Sequence, residues 1–370
     1  MILKTVFLIV LILIFVKIFV EASWRIKRRR INPEETSGKI MSAKELCELG
    51  ERMSEIKSEH GADCRSALKA ELRAYYEYIT SVYKQLCVRA AGKLQNPDAA
   101  QWLLDNYYII EKEIGKIEKS LSSYANKTQT VVKEGKYASK PIVYALACEL
   151  AAHRMAQIDY DGVCALLGSY TKNAYLKSDE IWLFFDMLKL VFIKNIAYLC
   201  KKIRFCIKEY DYAEKYVKFV MAKRDNKEQL RRRTLRYFER GRISASFVSI
   251  FESKTEEYGA DGALAISCMR SALEKRGLSM QDMILGEQSV QLRYGTDMCS
   301  CIRSVTELET LDMQRIFDEV SGVVQVLKKD PDGTYGRLDD ESKKLYVSAV
   351  CEIAERAQKK ENETVCTAYE

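Results

Sequence analysis

Between Leu103 and Leu121 the apolar residues fall at Leu103, Tyr107, Ile110, Ile114, Ile117 and Leu121, in alternating steps of four and three. That spacing is the packing seam of a long helix and fits no strand, whose faces alternate every second residue. A second stretch, Ala67–Leu86, places Leu68, Leu72, Ile79, Val82, Tyr83 and Leu86 on one helical face. The seam starts with Asn96–Pro97–Asp98, a cap residue, a first-turn proline and an early acid. With only 4 prolines and 17 glycines in 370 residues, the chain has few places to turn. Long helices are therefore the expected element, and no strand pattern or fixed-period repeat stands out. The fold class is all-α, a multi-helix bundle-like body.

The body continues in the same manner. Residues 122–140 are polar and read as a loop, and Pro141 opens a helix through His153. Ile181–Ile203 is apolar on most sides. Its Asp186, Lys189 and Lys194 argue for a central buried helix over a second membrane span. Around Asp225–Arg242, counting Arg224, eight basic residues accompany three acidic ones, which suits a solvated helix face with some capacity for anionic lipid. Gly259 to Gly262 and Arg276–Gly277 mark turns, Ser279 with Asp282 marks a helix start, and Asp330–Pro331–Asp332–Gly333 is a turn. Asp339–Asp340–Glu341 then opens the last helix.

The N-terminus is different in kind. Met1–Val20 reads MILKTVFLIVLILIFVKIFV, about the 20 residues that a bilayer crossing takes. Lys17 lies one turn from its end, where a lysine snorkels. Trp24 fits the interface, and Arg25, Lys27, Arg28, Arg29 and Arg30 follow at once. The positive-inside rule places such a flank, and the body after it, in the cytoplasm. A cleaved signal peptide is the rival reading, and the basic cluster directly after Ala22 opposes it. The expected organisation is a transmembrane anchor over 1–22 and a basic juxtamembrane linker over 23–41. A helical subdomain over 42–205 and a second over 206–370, packed on the first, complete it. The expected location is the cell membrane, single-pass, with membrane lipid as a partner.

Motifs for chemistry are sparse. The 12 cysteines include no CxxC pair, and with only His60 and His153 beside them a Cys/His metal site is not expected. Buried reduced thiols are the natural reading. Asp159–Tyr160–Asp161 has the spelling of a metal-binding DxD, but it follows a helix and precedes Gly162, as capping acids do. His153 sits at a helix end, where the dipole favours it. The 22 tyrosines, with Tyr75, Tyr76 and Tyr78 close together and Tyr107 beside Tyr108, read as core rings whose hydroxyls reach partners. There is no GxSxG, P-loop or GxGxxG, so no catalytic, cofactor-binding or metal residue is assigned. No nucleic-acid module is recognisable either.

Four blocks in order resemble the non-catalytic N-terminal region of bacterial cyclic β-1,2-glucan synthases. They are AAQWLLDNYYIIEKEIGKIEKSL (99–121), KPIVYALACELAA (140–152) with Ile158–Asp159 after it, DEIWLFFDMLKLVFIKNIAYLCKKI (179–203) and VSGVVQVLKKDPDGTYGR (320–337). The chain departs from the family pattern at Lys140, Ile142 and Lys194, and in the loop SSYANKTQT. Full-length members continue into a membrane-embedded glycosyltransferase domain using UDP-glucose and a phosphorylase-like domain. This chain ends at Glu370. The resemblance implies a non-catalytic helical module whose partner is a catalytic glucan synthase chain. A stand-alone helical scaffold with no glycan role is the alternative.

Overall fold

Ser42 begins the folded body: its hydroxyl accepts from Glu45 N while Glu45 accepts from Ser42 N, a capping box. The computed structural model describes residues 38–370, apart from 63, 95, 124–128, 155–157, 331, 358 and 370. The expected anchor, with Lys17, Trp24, Arg25, Lys27, Arg28, Arg29 and Arg30, lies outside the described residues. Among the described residues no helix is long and apolar enough to cross a membrane.

Helices dominate, as the periodicity requires. In order they are α1 (Ala43–Ser54), α2 (Arg65–Ala91), α3 (Asp98–Ser123), α4 (Ile142–Arg154) and α5 (Tyr160–Asn173). Next come α6 (Ser178–Met221), α7 (Lys227–Arg240), α8 (Ala245–Glu256), α9 (Gly259–Lys275) and α10 (Met280–Glu307). Short α11 (Met313–Val320), α12 (Gly322–Leu327) and α13 (Thr334–Arg337) precede α14 (Asp340–Ala357) and α15 (Glu361–Tyr369). The helix opened by Asp339 is thus followed by one more. The polar stretch after α3 also holds more than a loop. Its β2 (Gln129–Val132) pairs antiparallel with β1 (Ser58–Ala62), with His60 opposite Thr130. A strand of four or five residues shows too few alternations to stand out in a sequence.

The seam residues Leu103, Ile110, Ile114, Ile117 and Leu121 are buried, as are Leu68, Leu72, Ile79, Val82 and Leu86. Ile181–Ile203 forms the front of α6, and Phe184, Leu188, Val191 and Phe192 there are wholly enclosed. The turn falls at Gly259, where φ is +58°, whereas Gly262 lies inside α9, and a Cβ there would fall 2.1 Å from Thr255 O.

The described chain divides into two compact units. Unit 1 comprises residues through Glu77, Tyr108–Ile196 and Ser300–Glu370, and unit 2 comprises Tyr78–Tyr107 and Ala197–Cys299. The linear boundary at 205/206 falls inside α6. Within unit 1, buried Lys189 lies 2.7 Å from Glu113 Oε2, and Lys116 meets the other oxygen at 2.7 Å. The lysine that interrupts the apolar helix is thereby neutralised, which a buried cation demands. Unit 2 is built around aromatic residues. Phe238, Phe247 and Phe251 are fully buried, and the Tyr237 and Phe247 centroids are 4.7 Å apart. Arg89 anchors its α2 segment by bonding Asp211 at 2.5 Å.

Candidate functional site

Several side chains singled out in the sequence have structural roles. Asp159 caps α5 by accepting from Gly162 N at 2.8 Å and pairs with Arg154. His153 Nδ1 bonds Lys39 O at 2.7 Å. Of the tyrosines expected in the core, Tyr75 is buried and donates to Glu71, and Tyr76 donates to Glu111, each at 2.7 Å, whereas Tyr108 is 66% exposed and is no core ring. Every cysteine is a free thiol, and burial pushes that of Cys148 up to about 11.

The geometry that suits a ligand is a cavity of about 760 Å³ in unit 1. That volume lies within the roughly 300–1,000 Å³ typical of small-molecule sites. Trp182, from the first turns of α6, and Phe317, from α11, stack at 5.3 Å between centroids and 20° between planes. Both line the cavity, with Tyr335 of α13 and Tyr175 before α6. One face of α14 forms a further wall: Lys343, Val347, Cys351 and Ala354 recur at helical spacing. Ala354 is the buried residue of that 18-residue helix, so much of what α14 covers is the cavity.

Two local devices hold the rings in place. Glu180, buried at the start of α6, accepts from Thr130 N at 2.5 Å and from Lys177 N at 3.1 Å. This fixes the first turn of α6 two residues before Trp182. At the other side Gly333 has φ +63°, a conformation that glycine adopts without steric cost. The Asp330 carboxylate accepts from Tyr335 N at 3.1 Å and Asp332 N at 3.2 Å, which holds it below the usual carboxylate range. The turn thereby delivers Tyr335 into the wall, where it is buried.

Charge around the cavity is mixed, with a cationic surplus. Lys177, Lys343, Lys344, Lys359 and Lys360 line it, against Asp179, Asp318, Glu355 and Glu361. Glu361 is committed internally. It accepts from Ser178 N at 3.0 Å and Ser178 Oγ at 2.7 Å, a carboxylate on the positive end of a 44-residue helix. His60, whose Nδ1 bonds Thr130 Oγ1 at 2.8 Å, is held below its ordinary value by burial and by nearby Lys177 and Lys360. Burial and the Glu361 charge push the Cys351 thiol up to about 12, so it stays protonated near neutral pH and is no nucleophile. Aromatic rings, lysines and carboxylates thus share one wall, which sets apolar surface beside hydrogen-bonding groups.

None of these residues was assigned from the sequence. Yet Trp182 stands in the block DEIW and Tyr335 in the block DPDGTY, two of the four that carry the family resemblance. The fold brings those blocks, about 150 residues apart, to one cavity.

No protein-family profile matches this chain. Over 307 residues it is 22% identical to the cyclic beta-(1,2)-glucan synthase NdvB of Rhizobium meliloti (strain 1021). The match covers 82% of this chain and 10% of that protein, so the chain spans about a tenth of the length of this curated relative. The likeness supports a relation to cyclic glucan synthases.

Proposed function

We propose that this chain serves a glucan-synthesising system as a non-catalytic helical module. In this reading residues 1–22 tether it to the membrane, with the body on the cytoplasmic side. The module docks on the catalytic domains of the synthase, carried by another chain, and its cavity takes saccharide units of the glucan. The observation that carries the reading is the collinear likeness to the cyclic beta-(1,2)-glucan synthase over 82% of the chain. The convergence of two of its blocks on one aromatic cavity adds to it. The basic flank Arg25–Arg30 supports the tether and its direction.

Two measurements test it. Deletion of the gene is expected to abolish or sharply reduce cellular β-1,2-glucan, with restoration by the wild-type chain. Unchanged glucan in the deletion strain overturns the role. Titration of the protein with β-1,2-linked gluco-oligosaccharides is expected to show binding that Trp182→Ala weakens at least about tenfold, the loss of one well-placed ring contact. Binding that is unaffected by Trp182→Ala removes the cavity from the proposal.

A further inference from the structure

Three large aromatic residues stand half out of the protein along one line of α6. Phe205 is 54% exposed, Tyr212 49% and Phe219 52%. They are spaced seven and seven residues apart, and an α-helix drifts only about 20° per seven residues, so the rings fall within an arc of roughly 40°. At 1.5 Å per residue the line is about 21 Å long. Exposed Lys201, Lys208, Lys215 and Lys218 alternate with the rings. The opposite face is firmly held: Cys206, Tyr210, Ala213, Val217 and Val220 belong to the core of unit 2. Tyr212 leans on Tyr237 and Phe247 and Phe219 on Tyr216, yet about half of each ring stays exposed, and three such rings aligned on a lysine-rich face form a patch where single exposed apolar residues would be ordinary.

Neighbouring groups extend this surface. Arg233 of α7 places its guanidinium 4.2 Å from the Phe219 centroid and donates to Phe219 O at 2.6 Å. Of the acids in this half of α6 two are engaged away from this face and the third takes up Lys218, which leaves Lys201, Lys208 and Lys215 as its outward cations. Asp211 pairs with Arg89, Glu214 pairs with Lys218 at 2.8 Å, and Glu209 accepts from Ser244. What α6 turns outward here is aromatic and cationic, along the exposed face of one helix.

We infer that this ridge, Lys201 to Phe219 on α6 with Arg233 beside it, lies against an anionic lipid bilayer. Aromatic rings settle at the headgroup level of a bilayer, and lysines interleaved with them bind anionic headgroups. An exposed helix face suits a flat partner, whereas a small ligand needs a concavity. The inference rests on the membrane tether proposed above, which would hold the body within reach of such a surface.

The test uses the full chain with the photoreactive p-benzoylphenylalanine in place of Tyr212, mixed with vesicles and single-stranded RNA. Lipid adducts are expected to rise at least about fivefold when phosphatidylcholine vesicles are given about 30 mol% phosphatidylserine. They should fall back in roughly 0.5 M salt, which screens exposed charges, and in the variant Lys208→Glu with Lys215→Glu. The same probe in place of Leu292, which is 66% exposed on α10, provides the reference. Absence of lipid adducts at 212, adducts on RNA or protein in their place, or labelling equal to that at 292 and indifferent to phosphatidylserine overturns the inference. Flotation with pure phosphatidylcholine reads the tether separately. A chain that does not float there but labels at 212 with anionic vesicles overturns the tether and leaves the ridge standing.

Discussion

Units 1 and 2 use the same two ingredients, aromatic rings and lysines, in opposite arrangements. In unit 1 single rings from separate elements, Trp182 on α6, Phe317 on α11 and Tyr335 on α13, converge on a cavity. In unit 2 the rings of Phe205, Tyr212 and Phe219 come from one helix at a seven-residue spacing and face outward. Composition is thus a poor guide to what such residues do. Convergence makes a site for one small ring, while alignment makes a ridge for an extended surface. In this chain the rings aligned within one helix lie at a surface, and those that only tertiary structure unites line a pocket.

The largest way to break this contrast is to remove the backing of the ridge. Phe247 is fully buried, and its ring lies 5.5 Å from Tyr212, 4.7 Å from Tyr237 and 6.1 Å from Phe251. Phe247→Ala should cost about 3–5 kcal/mol by lost burial and the cavity left behind. Hydrogen exchange should then quicken within Ala197–Cys299 and Tyr78–Tyr107 and leave the slowest amides of unit 1 unchanged. Equal loosening of both units would show that they do not respond separately.

The next effect belongs to unit 1, whose core includes ions. Burial works against the Glu113 carboxylate, yet bonds from Lys116 and Lys189 hold it below the usual range. Glu113→Leu leaves the buried ammonium of Lys189 with the more distant Glu309, at 3.8 Å, and the charge of nearby Asp186. Breaking a buried pair costs roughly 3 kcal/mol, and replacing both partners costs far less. Urea unfolding should therefore show Glu113→Leu well below wild type, with Lys189→Met added to it recovering most of the loss. A double variant as unstable as the single one refutes this account of the network.

How much of this was legible beforehand follows from range. The seam Leu103–Leu121, the Ser279 start of α10 and the Asp339 cap of α14 all depend on contacts within a few residues, and the structure has them. The buried character of Ile181–Ile203 was legible because apolar residues surround it on nearly every side. The β1–β2 ribbon was not, since its pairing joins residues about 70 positions apart. Gly262 reads as a turn residue by its type, yet it lies in the first turn of α9, where the close approach of Thr255 O leaves no room for a Cβ. Asn96, expected to cap, instead accepts from Arg89 Nε at 3.2 Å. The cavity could be suspected only through its blocks: DEIW and DPDGTY are distinctive strings, but nothing local says that Trp182 and Tyr335 share a wall.

A smaller change sharpens the cavity side of the comparison. Gly333 holds φ +63°, and a Cβ there meets no atom within 4 Å. Gly333→Ala therefore tests backbone conformation without a clash, and should cost about 1–2 kcal/mol. If the turn serves to seat Tyr335, oligosaccharide affinity should weaken together with stability. A drop in stability with unchanged affinity would mean that the ring is held by its other neighbours.

The smallest effect concerns the field that the lysines create. His60 has a folded-state value below its ordinary 6.5, first through burial and then through Lys177 and Lys360. Between the lowered folded value and 6.5 the unfolded chain binds more protons at this position than the folded one, so stability falls as pH drops through that window. Above 6.5 both states are neutral there and the dependence vanishes. His60→Gln keeps a polar group near Thr130 and removes the titration. The stability of wild type minus that of the variant should therefore decline as pH falls below 6.5, whereas carboxylates common to both cancel. A difference that stays flat through this window, or rises as pH falls, would mean that burial and the cavity lysines together do not lower His60. The contrast with the solvated lysines of the ridge, which are screened by water and salt, would then lose its electrostatic half.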